Sequence, residues 1–192
     1  MKIGLLGGSF NPLHKGHLKI AETVLEKTAI EKIWFVPSGN HPLKAGNQLL
    51  DIEQRISLIQ KVISDYPAFE LCTLDAAQAK PSYTSQLIKK LSQLYPGDKF
   101  YFIAGSDIVA EIPLWHDYRW LLDNLKFIIL SRSGASPQEW QKLDYLDKLD
   151  FLEMQPIDIS ASQIRAKVLR GENISELLPK QIVAEVEQFY KR

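Results

Sequence analysis

The run Gly7-Gly8-Ser9-Phe10-Asn11-Pro12-Leu13-His14-Lys15-Gly16-His17 brings together residue types that handle phosphate. Two adjacent glycines remove side chains where the backbone must turn, so main-chain N–H groups can approach an anion closely. Pro12 limits the loop. His14 and His17 are three apart at the start of an expected helix, so they share a face and point at whatever the loop holds. An imidazole donates hydrogen bonds to phosphoryl oxygens, and a nearby phosphate raises its pKa. Two such donors suit phosphoryl transfer. Taken singly, a glycine pair after a strand can be a tight turn and a histidine near a helix start can be structural. It is the ordered combination that is specific. A metal pair would need further ligands, and no aspartate, glutamate or cysteine lies close by to supply them. The run is neither a Walker loop nor a Gly-x-Gly-x-x-Gly fingerprint.

A second candidate phosphate site is Ile159-Ser160-Ala161-Ser162-Gln163-Ile164-Arg165, followed by helical residues to Arg170 and a stop at Gly171. Ser160 with Gln163 three residues on reads as a capping box. A helix N-terminus offers free N–H groups and partial positive charge, and Arg165 one turn inside has a fork for phosphate. On these residues alone, simple capping stays open.

The elements that must position these groups follow from periodicity. Apolar β-type runs recur at residues 3–6, 33–36, 69–74, 100–104 and 127–130. Between them lie helical patterns at 18–28, 52–63, 85–94 and 118–122. Strands apolar on both faces and alternating with helices predict an α/β fold, a parallel sheet with helices on both faces. Ligands in such sheets bind outside the carboxyl ends of the strands. Residues 134–150 read as a surface helix and loops, and the tail 179–192 as a closing amphipathic helix whose role is packing.

At 192 residues the chain is expected to form one domain, 1–192. Its 23 Lys and Arg balance 23 Asp and Glu, which disfavours a nucleic acid polymer as partner. Cys72 is the only cysteine, which suits a reducing compartment and points to the cytoplasm. No signal peptide or membrane-spanning run is expected.

His14-Lys15-Gly16-His17 resembles the (T/H)xGH signature of the nucleotidyltransferase superfamily, and residues 159–165 resemble its ISSTxxR motif, with Ala161 and Ser162 at the second Ser and the Thr. That resemblance implies a Rossmann-like parallel sheet. Pro81-Ser82-Tyr83-Thr84, Gly105-Ser106-Asp107 and Pro113-Leu114-Trp115-His116 are similar, in order and approximate spacing, to segments of bacterial nicotinate-nucleotide adenylyltransferases. The resemblance covers almost the whole chain. It implies transfer of the adenylyl group of ATP to nicotinate mononucleotide, with magnesium carried by the ATP phosphates and no metal held by the protein. His14, His17 and Arg165 would be catalytic. Gly7, Gly8, Ser9, Phe10, Lys44, Gly105, Asp107, Ile159, Ser160 and Ser162 would contact ATP. Ser38, Tyr83, Thr84, Trp115 and His116 would bind the acceptor.

The chain departs from that pattern at two places. His41-Pro42-Leu43-Lys44 stands where Pro-His-Lys is usual, and Ser9 and Asn11 stand where Thr and Asp are frequent. Tyr83 and Trp115 also fit as core aromatics, and Asp107 as the cap of a following turn. Nicotinamide mononucleotide or phosphopantetheine would be the rival acceptors. A non-catalytic nucleotide-sensing module and a flavodoxin-like redox domain are the rivals of other classes.

Overall fold

Successive strand residues go to opposite sides of one sheet. In the first strand, β1 (Lys2–Gly8), Ile3 and Leu5 enter one apolar cluster and Leu6 the other. In β2 (Lys32–Pro37), Ile33 and Phe35 separate from Trp34 and Val36 in the same way. A sheet apolar on both faces requires helices on both. The computed structural model, which describes residues 1–39, 49–76, 83–131, 140 and 142–191, has that arrangement. One face is covered by α1 (Lys15–Lys27), α2 (Ile52–Ile63), α5 (Ala161–Leu169) and α6 (Val183–Tyr190), through Leu18, Leu58, Ile164 and Val186. The other is covered by α3 (Thr84–Leu94) and α4 (Tyr118–Asn124), through Leu87 and Leu121.

With β3 (Phe69–Leu71), β4 (Lys99–Gly105), β5 (Lys126–Ser131) and β6 (Leu149–Glu153), the sheet runs β3-β2-β1-β4-β5-β6. Every adjacent pair is parallel. The chain order reverses between β1 and β4, whose register pairs Leu6 with Ile103. Connections leave these two strands toward opposite faces, so a crevice opens at their carboxyl ends. The Rossmann-like expectation therefore holds, and the loops after β1 and β4 flank the crevice.

Three expectations are corrected. β3 ends at Leu71 rather than at residue 74, because this edge strand meets only β2 and the chain turns after Cys72 N–H reaches the Phe35 carbonyl (2.9 Å). β6 escapes the apolar-run criterion because an edge strand tolerates charge, here Asp150 and Glu153. The segment read as surface helix and loops contributes Trp140 and Tyr145 to the core, and the Tyr145 hydroxyl donates to the Val109 carbonyl at 2.8 Å. Among the described residues no helix is long and apolar enough to cross a membrane.

Tyr145→Ala should destabilise the protein by about 3 kcal/mol, where a surface position would change it by about 0.5 kcal/mol or less. Urea denaturation monitored by circular dichroism checks this.

Candidate active site

The end of β1 is fixed by its carbonyls. Gly8 C=O accepts from Ser38 N–H at 2.8 Å, joining the loops after β1 and β2. Arg55, on α2, is 4 % exposed; its Nη1 donates to Ser9 C=O (2.7 Å) and Ser38 C=O (2.9 Å), and its Nε to Leu50 C=O (3.1 Å). Burial lowers the Arg55 pKa from its ordinary value. Phe10 follows in the left-handed region (φ 45°), with its ring in the core against Phe35 and edge-on to His17. The φ costs local strain that a buried aromatic anchor holds in place. Asn11 is joined to Pro12 by a cis peptide bond. Its Oδ1 accepts from Leu50 N–H (3.0 Å), and its carbonyl accepts from Arg165 Nη1 (2.9 Å).

The loop delivers His14 and His17 to the head of α1. Their rings stack with centroids 3.7 Å apart. His14 N–H donates to His17 Nδ1 at 3.2 Å, so a neutral His17 carries its proton on Nε2. Burial holds the His14 pKa down to about 4. His17 is lowered well below 6.5 by burial and by the neighbouring His14. Both rings are therefore neutral at pH 7 in the free protein. Sequence reasoning expected a phosphate to raise these pKa values; without one, burial pulls them the other way.

Gly16 has a steric reason. A Cβ there would lie 2.9 Å from His14 Nδ1 and 3.0 Å from Ile157. At the head of α1, Lys15 N–H is taken by Leu177 C=O (3.0 Å) and His17 N–H by His14 C=O (2.9 Å). Two of the first N–H groups of that helix are thus already taken within the protein.

At α5 the predicted capping box is formed. Ser160 Oγ accepts from Gln163 N–H (3.2 Å), and Ser160 N–H donates to Gln163 Oε1 (3.0 Å). Ala161 and Ser162 N–H groups take no acceptor among the described residues. Ser162 Oγ lies 3.1 Å from Ser160 Oγ, and Ile159 packs on the core beside them. Arg165 joins this terminus to the first loop through Asn11, and its buried Nε has no partner among the described residues. The two candidate phosphate sites are one assembly.

The residues expected to bind the acceptor make two sets of ring contacts. Phe102 links Gly7 to Trp115: a Cβ at Gly7 would lie 3.5 Å from the Phe102 ring, and Trp115 meets that ring edge-on at 5.4 Å. Tyr83 stacks on His116 at 4.3 Å rather than on Trp115. His116 Nδ1 lies 3.0 Å from Ser85 Oγ, beside Thr84 at the head of α3. Asp107 does not cap the 3-10 segment Ser106–Leu114; that position is Gly105. Its carboxylate folds back, so that a Cβ at Gly105 would lie 2.5 Å from Asp107 Oδ1. Lys44 and His41 lie outside the described residues.

Arg55 and Tyr190 were missed. The Tyr190 hydroxyl donates to Asn11 Oδ1, so the tail does more than pack. Both had a signal: a polar group in an apolar helical stripe, Arg55 between Ile52 and Leu58–Ile59, and Tyr190 four residues after Val186.

The cytidylyltransferase-like family profile matches residues 5–167. A relative named "Probable nicotinate-nucleotide adenylyltransferase" from Azobacteroides pseudotrichonymphae genomovar. CFP2 is 37% identical over 189 residues, covering 97% of this chain and 96% of its own. Another of that name, from Oceanobacillus iheyensis, is 36% identical over 187 residues, covering 97% and 94%. Among solved structures, the Plasmodium falciparum nicotinic acid mononucleotide adenylyltransferase complexed with NaAD has the same fold, with a TM-score of 0.79 and 22% identity over 99% of this chain and 97% of that one.

The buried neutral pair sets a pH dependence. With the folded His14 pKa near 4 and the ordinary value 6.5, the unfolded chain binds the extra proton between those limits. The stability present above pH 6.5 is therefore lost progressively as pH falls toward 4. From pH 6.5 to 5, His14→Gln should lose about 1.5 kcal/mol less than wild type. Denaturant titrations across that range test this.

Proposed function

The chain belongs to the nicotinate-nucleotide adenylyltransferases of the cytidylyltransferase-like family, and from that membership we propose that it joins ATP to nicotinate mononucleotide, a step of NAD biosynthesis. The acceptor's 5′-phosphate oxygen attacks the α-phosphorus of ATP. A new P–O bond forms as the bond from the α-phosphorus to the bridging oxygen breaks, and pyrophosphate leaves with that electron pair. Nicotinate adenine dinucleotide is the other product. The nucleophile is already anionic, so the protein's task is positioning and charge stabilisation.

The observation that carries the reading is the stacked His14–His17 pair on a loop held by the same arginine that sits at the α5 terminus. In this reading N–H groups around Gly8 to Phe10 align the phosphates. His17 Nε2–H and the His14 ring stabilise charge on the α-phosphoryl oxygens. Arg165, the free N–H groups after Ser160, and Lys44 hold the leaving pyrophosphate, with Ser162 and Ile159 alongside. Gly105 and Asp107 receive ATP ribose hydroxyls. Ser38, Tyr83, Thr84, Trp115 and His116 receive the acceptor and its pyridine ring. Among the described residues no three His, Cys, Asp or Glu gather as a metal cage, and magnesium enters as part of the ATP substrate. We take 1–192 as one domain and the reaction as cytoplasmic, in keeping with the buried free thiol of Cys72.

Pyrophosphate release with ATP, magnesium and each acceptor in turn tests the proposal. Turnover should be selective for nicotinate mononucleotide; turnover only with phosphopantetheine overturns the acceptor, and ATP binding without turnover on any acceptor favours a sensing module. His17→Ala should lower kcat by about two orders of magnitude, the usual cost of losing one preorganised donor. An unchanged kcat would remove His17 from the chemistry.

A further inference from the structure

The last helical turn of the chain reaches the foundation of the phosphate loop. Tyr190, 7 % exposed at the end of α6, donates its hydroxyl to Asn11 Oδ1, which also accepts Leu50 N–H. Asn11 is 3 % exposed, and its own carbonyl holds Arg165 Nη1. One residue thus ties together the loop after β1, the entry to α2, the α5 arginine and the C-terminal helix. Burial pushes the Tyr190 phenol above its ordinary pKa, so it remains a donor across the working pH range.

The tail is tied to the rest of the protein at further points. Lys61 on α2 pairs with Glu185 on α6, and Gln181 Nε2 meets Asp65 Oδ2 at 2.5 Å. Leu177 C=O takes the first N–H of α1, the helix that carries the histidines. The hydroxyl is also not needed for filling space, since phenylalanine would occupy the same volume without a polar atom to satisfy. What the hydroxyl adds is direction. With Leu50 N–H as the second donor to the same oxygen, it pins the Asn11 side chain, and so anchors the residue whose main-chain carbonyl Arg165 grips.

We propose that Tyr190 is a positioning residue for the phosphate site, acting through Asn11 on the 9–14 loop and on Arg165. The proposal rests on the adenylyl-transfer reading for its substrate, ATP. Because Tyr190 touches neither nucleotide nor acceptor directly in that reading, its effect should fall on the ATP phosphates and spare the acceptor.

Full-length Tyr190→Phe tests it, measured by steady-state kinetics and by calorimetric titration with a non-hydrolysable ATP analogue. Loss of the hydroxyl should lower kcat/KM for ATP by about tenfold and weaken analogue binding at least about threefold, while KM for nicotinate mononucleotide moves less than about twofold. The melting temperature should fall by no more than about 4 °C, the effect of one hydrogen bond in a chain of this size. The substitution is then repeated in two backgrounds. In Asn11→Asp, which keeps an acceptor oxygen, Tyr190→Phe should still cost about tenfold; in Asn11→Ala, which lacks one, it should cost less than about twofold. Unchanged kinetics and binding in Tyr190→Phe overturn the proposal. So does an equal loss in both backgrounds, or a loss accounted for by unfolded protein. If Asn11→Ala does not fold, the kinetics, binding and melting data on the single variant decide. If the wild type turns over no acceptor, the functional reading fails, and analogue binding still judges Tyr190.

Discussion

A loop that turns its carbonyls inward must supply them with donors of their own. That constraint organises this protein. Gly8, Ser9, Asn11 and Ser38 place carbonyls at the carboxyl ends of β1 and β2, and these are met by Ser38 N–H and by the guanidinium groups of Arg55 and Arg165. A buried carbonyl without a donor costs about 1–3 kcal/mol, so each contact matters to folding as well as to geometry. Arginine suits the task because one planar group serves several acceptors and keeps its charge when partly desolvated.

The histidine pair depends on that foundation. Phe10, with a positive φ and its ring in the core, turns the chain so that His14 and His17 arrive stacked. Gly16 leaves room for the His14 ring. Burial that fixes the rings also makes them neutral in the free protein, and an incoming phosphate would reverse part of that shift. The same burial links folding stability to the protonation of the two histidines.

Much of this was legible in the sequence because it is local. Alternating apolar runs and helical stripes gave five of the strands and the flanking helices, and Ser160 with Gln163 gave a cap that forms as expected. The segments that were misread are those where neighbours override local pattern. β6 carries charges because it is an edge strand. Tyr145 is buried because Val109 offers its hydroxyl a carbonyl. For the residues that the resemblance assigns to the acceptor, local pattern gives no contacts: the stacking of Tyr83 on His116 and the packing of Trp115 against Phe102 are decided by how α3 and the segment after β4 meet.

By itself, then, the sequence determined the alternation that makes a parallel sheet, the glycine-histidine loop and the capped motif at residues 159–165, since spacing of three or four residues fixes what shares a helix face. Only the tertiary structure decided that these two motifs touch. Asn11 and Arg165 lie 154 positions apart, and Asn11 and Tyr190 lie 179 apart. Nothing in local periodicity encodes such contacts. They arise because α5 and α6 pack on the same face of the sheet as α1 and α2, which brings the end of the chain back to the loop after its first strand.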